Sequence, residues 1–207
     1  MNGSSYRVYC HMKGISKCGT GGWTLVMKVD GEKDTFHYNS SYWTDRKVFH
    51  EDDGLEGTSE KETKLASYWN TPFTKICLGM KDKSESVKWI LIEHEANSLF
   101  EVIANGKFIE TKVGDNQWKS LMTNSELQPY CNKEGFNIDG GRQTYLRIGL
   151  VANNGNDDCE SCNSCIGFGA SVRGCVDNKI SNIACGNIYD CGETYRYTPV
   201  SGYIYVQ

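Results

Sequence analysis

Ten cysteines in 207 residues constrain this chain more than any other feature. Thiols at that density are rare in a reducing compartment, so if they pair, the fold is stapled and its setting is oxidising. The sequons Asn2-Gly3-Ser4 and Asn39-Ser40-Ser41 point the same way. Six of the cysteines, from Cys159 to Cys191, fall within residues 152–200, where Gly and Asn are also concentrated and no period of 2 or 3.6 is sustained. That segment is expected to be irregular and held by cross-links, with nearly all ten cysteines oxidised. Spacing alone leaves the connectivity open. Cys159, Cys162 and Cys165 recur at two-residue gaps, which also suits zinc or an iron-sulfur cluster, with Cys175, Cys185 or Cys191 as a fourth ligand. The wide scatter of Cys10, Cys18, Cys77 and Cys131 favours disulfides.

An apolar content of 39% is enough for one substantial core, so the expectation is a single domain over 1–207. Within it, 1–151 bears sheet and 152–207 is the cross-linked part. A net charge of -4 provides no electrostatic footprint for nucleic acid. No apolar run is long enough to span a bilayer, which argues against membrane insertion, and residues 1–20 lack a signal-peptide-like stretch. Secretion would make the sequence a mature form or an excised domain.

Trp23, Leu25, Met27 and Val29 alternate with Thr24, Val26 and Lys28 up to an Asp30-Gly31 turn, which predicts a strand. Ser59 and Glu62 have capping-box spacing ahead of Leu65, Tyr68 and Trp69, predicting a short helix that ends before Pro72. Val87 to Ile92 reads as a strand buried on both faces. Leu99 to Ile103, Asn105-Gly106 and Phe108 to Val113 read together as a hairpin. Tyr145 to Val151 and Tyr203 to Val206 supply further strands.

Enzyme signatures fail where they can be tested. His94-Glu95 opens like a zinc-protease helix, but Ser98 stands where a second His must share the metal. Gly167-Phe168-Gly169 begins like a dinucleotide fingerprint, but Val172 replaces the third Gly. No Walker sequence or nucleophile elbow occurs, and His11, His37, His50 and His94 have no catalytic spacing. A non-enzyme is expected. The stretch from Asn153 to Glu160 is rich in hard oxygen donors around Gly155, as a Ca²⁺ site requires, and Glu51, Asp52 and Asp53 ahead of Gly54 form a second candidate metal loop.

Cys18-Gly19-Thr20-Gly21-Gly22-Trp23-Thr24-Leu25-Val26, preceded by Tyr9-Cys10, resembles the start of a fibrinogen-related domain. The later sequence is similar to the intelectins, or X-type lectins. Tyr68 to Phe73, Arg147 to Asn154, Cys165-Ile166-Gly167-Phe168-Gly169 and Cys185-Gly186-Asn187 carry that likeness. Similar modules occur in cnidarian extracellular and skeletal-matrix proteins. The resemblance implies an α+β, fibrinogen-like fold with a central twisted antiparallel sheet, short helices and a long disulfide-linked loop region. It also implies secretion and Ca²⁺-dependent binding of glycans through sugar diols, with Asn154, Glu160, Asn163 and Asn187 as ion ligands. Gly155 and Cys162 replace ligating Glu residues of the family, and Asp157 or Asp158 would have to compensate. Tyr189, Tyr195 and Tyr197 are candidates for an aromatic wall, and useful strength would come from several linked copies, as in a homo-oligomer. The rival is an adhesion module of extracellular matrix that binds proteins, with calcium purely structural.

Overall fold

The computed structural model describes residues 6–83, 86–155, 159–175, 178–190 and 195–207. It is mostly antiparallel sheet with a few short helices, an arrangement compatible with the α+β class. The chain begins with β1 (Cys10–His11), β2 (Trp23–Asp30), β3 (Thr63–Lys64), β4 (Phe73–Lys81) and β5 (Lys88–Ala96). Helix α1 (Ser67–Asn70) lies between β3 and β4, α2 (Leu99–Ile103) follows β5, and α3 (Asp115–Lys119) immediately precedes the long strands of the second sheet. A run of neighbouring strands follows: β6 (Ile109–Glu110), β7 (Tyr130–Asp139), β8 (Tyr145–Asn153), β9 (Ser164–Arg173), β10 (Ile180–Asp190) and β11 (Tyr195–Pro199). The last strand, β12 (Ser201–Val206), returns to the first sheet between β2 and β4.

Side chains of both sheets meet in one buried cluster, with Ile76, Leu78 and Ile204 from the first and Phe136, Ile148, Ile166 and Phe168 from the second. A register shift at Ile204/Tyr205, opposite Leu25 and Met27, lets Val26 and Met27 both enter that cluster. Trp23 and Leu25 instead join Tyr203 and Tyr205 in a separate cluster with Cys18 and Cys77, which are bonded to each other. The predicted strands at Trp23–Val29, Tyr145–Val151 and Tyr203–Val206 are present.

Residues 152–200 differ most from expectation, because they supply β9, β10 and β11, half of the second sheet. Their missing periodicity has a physical cause. Ile166, Phe168, Ala184 and Cys185 belong to the intersheet cluster, while Cys165, Ala170, Val172, Ile183 and Ile188 belong to a cluster of their own with Leu146 and Val151. Strands buried on both faces do not alternate. Gly167 lies opposite Gly149, and a Cβ on Gly167 would stand 2.1 Å from the Ile148 carbonyl. This glycine marks close strand approach rather than a loop.

Three smaller expectations also change. Leu99–Ile103 is helical, because the Ser98 hydroxyl caps the Glu101 N–H at 3.2 Å and Leu99, Val102 and Ile103 bury one face. The predicted hairpin therefore keeps its turn but loses its first strand. The capping-box pair caps nothing: Glu62 accepts from the Thr35 hydroxyl at 2.7 Å, Ser59 accepts from Lys28, and the helix begins only at Ser67. Finally, β5 is an edge strand of mixed burial rather than one covered on both faces.

Candidate functional site

Antiparallel succession brings several strand ends together at one end of the second sheet. Tyr130 at the start of β7 pairs with Asn153 at the end of β8, and Ala152 pairs with Ser164 at the start of β9. Ser164 in turn pairs with Tyr189, and Asp190 at the end of β10 pairs with Tyr195 at the start of β11. Asn153, Asn154, Asn163 and Asp190 thus lie at these strand ends, whereas the Glu160 backbone lies against Gly141 in the turn between β7 and β8. Asn163 and Asp190 are buried, whereas Asn154 and Glu160 are exposed. The Asn163 N–H donates to the Ala152 carbonyl at 3.2 Å and its carbonyl accepts from the Asp190 N–H at 3.1 Å. Asn153 is committed to holding the loop, since Oδ1 accepts from the Asn154 N–H at 2.7 Å and Nδ2 donates to Ser161 Oγ at 3.1 Å. Asp157 and Asp158 lie outside the described residues.

Amide and carboxylate oxygens suit a hard cation such as Ca²⁺, and Glu160 and Asp190 are the carboxylates among these described donors. Asp190 was missed in the sequence because only the pairing of β9 with β10 brings it to Asn163.

Asn187 does not join this group. It is fully buried, its Oδ1 accepts from the Glu126 N–H at 3.0 Å, and its Nδ2 donates to the carbonyls of Glu126 at 2.9 Å and Cys165 at 2.8 Å. Three residues of strand also separate it from Asp190 by about 10 Å. Asn187 is therefore a clamp between β10 and the segment at Glu126, on the wall of a cavity of about 530 Å³ that Met122, Arg196 and Thr198 also line.

The tyrosines divide as well. Tyr195 and Tyr197 alternate along the edge strand β11 and so share a face. They are 59% and 40% exposed, and their hydroxyls reach Ser181 Oγ at 3.3 Å and the Asn182 carbonyl at 2.8 Å. Tyr189 is half-buried and pairs with Arg196, which turns to the other face and meets Glu126 at 3.0 Å. Tyr195 and Tyr197 are thus the members of the expected aromatic wall that a ligand can reach. Burial raises the pKa of Tyr197, so it stays a neutral donor at physiological pH.

The second candidate metal loop is not assembled as one. Glu51–Glu56 is a 3-10 helix in which Asp52 meets Arg7 at 2.6 Å and Asp53 meets Lys61 at 3.2 Å, so these two carboxylates are neutralised by cations. Among the described residues, the side chains grouped closely enough for a metal are instead Cys131, Cys159 and Cys162. Cys131 and Cys159 are bonded to each other.

Cysteine pairing is also less complete than expected. Among the described residues, Cys18, Cys77, Cys131, Cys159 and Cys175 are disulfide-bonded, whereas Cys10, Cys162, Cys165 and Cys185 carry thiols, and Cys191 lies outside the described residues. Cys165 lies opposite Ile188 and Cys185 opposite Phe168. That offset of three rungs, about 10 Å, is too far for a bridge. Burial pushes the Cys165 thiol up to about 12, and both residues act as small core hydrophobes.

A larger cavity of about 810 Å³ runs along Ile90 to Glu93 and Glu110 to Val113 and contains no His or Cys. His94 packs between Phe73 and Phe136, and burial lowers its pKa. No helix among the described residues is long and apolar enough to cross a membrane. In comparisons with known proteins, the chain matches no family model and no curated protein.

Proposed function

We propose that the chain is a secreted, non-catalytic recognition module of the fibrinogen-related, intelectin-like class, which binds glycans in the presence of Ca²⁺ at the loop end of the second sheet. The observation that carries this is that Asn163 and Asp190 meet through their backbones at the strand ends where β8 finishes with Asn153, next to Asn154, and the edge strand β11 begins with the exposed Tyr195. Asn154, Glu160, Asn163 and Asp190, with Asp157 or Asp158, would hold the ion. The bound ion supplies open coordination positions that vicinal hydroxyls can fill. Tyr195 offers its ring to the apolar face of a sugar. A shallow site of this kind excludes little water, so each contact is weak and several copies are needed for useful strength.

A second reading has its own support: β11 is a sheet edge, and an exposed tyrosine edge also suits docking of another protein in an extracellular matrix. A glycan array probed with the domain tetramerised on streptavidin separates the two. Glycan signal in calcium that disappears in chelator and in Tyr195→Ala supports the lectin assignment. No glycan signal in calcium, or signal that survives both chelator and the substitution, refutes it.

A further inference from the structure

Three sulfurs converge beside the loop end of the second sheet. Cys131 and Cys159 form a disulfide, and the Cys162 sulfur lies 3.5 Å from that of Cys131. All three sulfurs lie within 4.8 Å of one another. The attacking and receiving residues are held differently. Cys162 is buried and fixed by its own backbone, with its N–H donating to the Gly140 carbonyl at 2.9 Å and its carbonyl accepting from Thr144. Cys159 and Cys131 have φ values of 48° and 73°, in the left-handed region where a non-glycine residue costs about 1 kcal/mol or more. Cys131 also sits at the register shift of β7. A strained pair of half-cystines therefore adjoins a third sulfur on a rigid support.

We propose that Cys131, Cys159 and Cys162 form an intramolecular thiol–disulfide exchange site. The Cys162 thiolate attacks the Cys131 sulfur, a Cys131–Cys162 bond forms, and the Cys131–Cys159 bond breaks. Cys159 leaves as a thiolate and takes up a proton from solvent, replacing the one that Cys162 lost on ionising. One disulfide is consumed and one is formed, so no oxidant or reductant is required. The exchange moves the tether of β7 from the loop residue Cys159 to the strand-entry residue Cys162. Cys159 loses its covalent anchor and becomes the reactive thiol. Cys165 does not compete, because its sulfur is not among the three that lie within 4.8 Å of one another. The chemistry is independent of glycan binding, although Cys159 adjoins Glu160 in the sequence.

The test is disulfide mapping of the intact protein after incubation at pH 6, 7, 8 and 9. Acid quenching and peptic digestion at low pH suppress further exchange, and a Cys10→Ser background removes the exposed thiol. The expected result is a Cys131–Cys162 peptide alongside Cys131–Cys159, formed faster at higher pH because the thiolate is the attacking form in such exchange. Its rate should not depend on protein concentration. Maleimide added to the native protein should label Cys159 increasingly with pH, and Cys162→Ser should abolish that labelling while its melting curve reports that the fold persists. Recovery of Cys131–Cys159 alone at every pH would overturn the proposal. So would concentration-dependent exchange, or stoichiometric zinc bound to all three sulfurs.

Discussion

Removing the Cys18–Cys77 bridge tests whether the first sheet is held by a covalent constraint or by packing. The bonded residues are 59 apart in sequence, and both are buried with Trp23, Tyr203 and Tyr205. Closing a loop of that length in the unfolded chain lowers its entropy enough to stabilise the fold by about 4 kcal/mol at 25 °C. With the unfolding entropy expected for a chain of 207 residues, that corresponds to a drop of about 10 °C in melting temperature. Alanine is the appropriate replacement, because serine would bury an unpaired hydroxyl and confuse the measurement. Cys18→Ala, Cys77→Ala and the double variant all lose the same cross-link. If the bridge dominates, the three should melt within a few degrees of one another, and urea unfolding should show a larger m value because the unfolded chain is less compact. Single losses that add in the double variant, or a drop below about 3 °C, would refute the cross-link account and assign the stability to packing.

Burial raises the pKa of Asp45, but hydrogen bonds from Lys64 and the Lys47 N–H, with both positive charges, outweigh it and leave the carboxyl below its ordinary value. A folded pKa below the unfolded one contributes stability that is present above about pH 4 and lost as pH falls through the folded value. The stability gap between wild type and Asp45→Asn should therefore close in acid denaturation below about pH 4, and a constant gap would count against the pair. Gly167→Ala drives a Cβ to 2.1 Å from the Ile148 carbonyl, so we expect a loss of at least about 3 kcal/mol, read by urea titration. Asn187→Ala leaves the Glu126 backbone and the Cys165 carbonyl without its side-chain partner, which should cost about 2 to 3 kcal/mol. If that variant instead keeps its stability and loses only glycan binding, Asn187 is a ligand and the placement of the site above is wrong.

What could be read from the sequence follows how each strand is buried. The segments from Trp23, Tyr145 and Tyr203 are bounded by polar or turn residues and have enough aromatic and β-branched content to declare themselves. Val172, Ile183 and Ile188 offer the same chemistry, but they are interleaved with Gly, Cys, Ala and Asn that are buried just as deeply. Small residues on a doubly covered strand carry no alternating signal, so composition suggests a loop where the sheet is most enclosed. The turn at Asn105-Gly106 was read from real chemistry, since Asn105 Oδ1 accepts from the Lys107 N–H at 2.7 Å and Gly106 has φ of 68°. A turn signal does not specify what flanks it, and the Ser98 cap upstream decided for helix.

Cysteine count misled for a related reason and points to what organises the candidate site. A buried cysteine contributes as a small apolar residue whether or not it is oxidised, and the Cα separation and Cβ direction decide whether it can bridge. Asn163 and Cys165 are two residues apart, yet one faces the strand end with Asp190 while the other fills the core. Cys159 and Cys162 share a spacing with Cys165 in sequence and pack in the same cluster, but only their sulfurs gather with that of Cys131. The start of β9 therefore fixes both the sulfur trio and the oxygen donors. A perturbation that shifts this one strand entry, such as Thr144→Val, which removes the hydroxyl that holds the Cys162 carbonyl, should alter disulfide mapping and calcium response together. If only one of the two moves, the sulfur cluster and the oxygen end are independent features that happen to lie on the same end of the sheet.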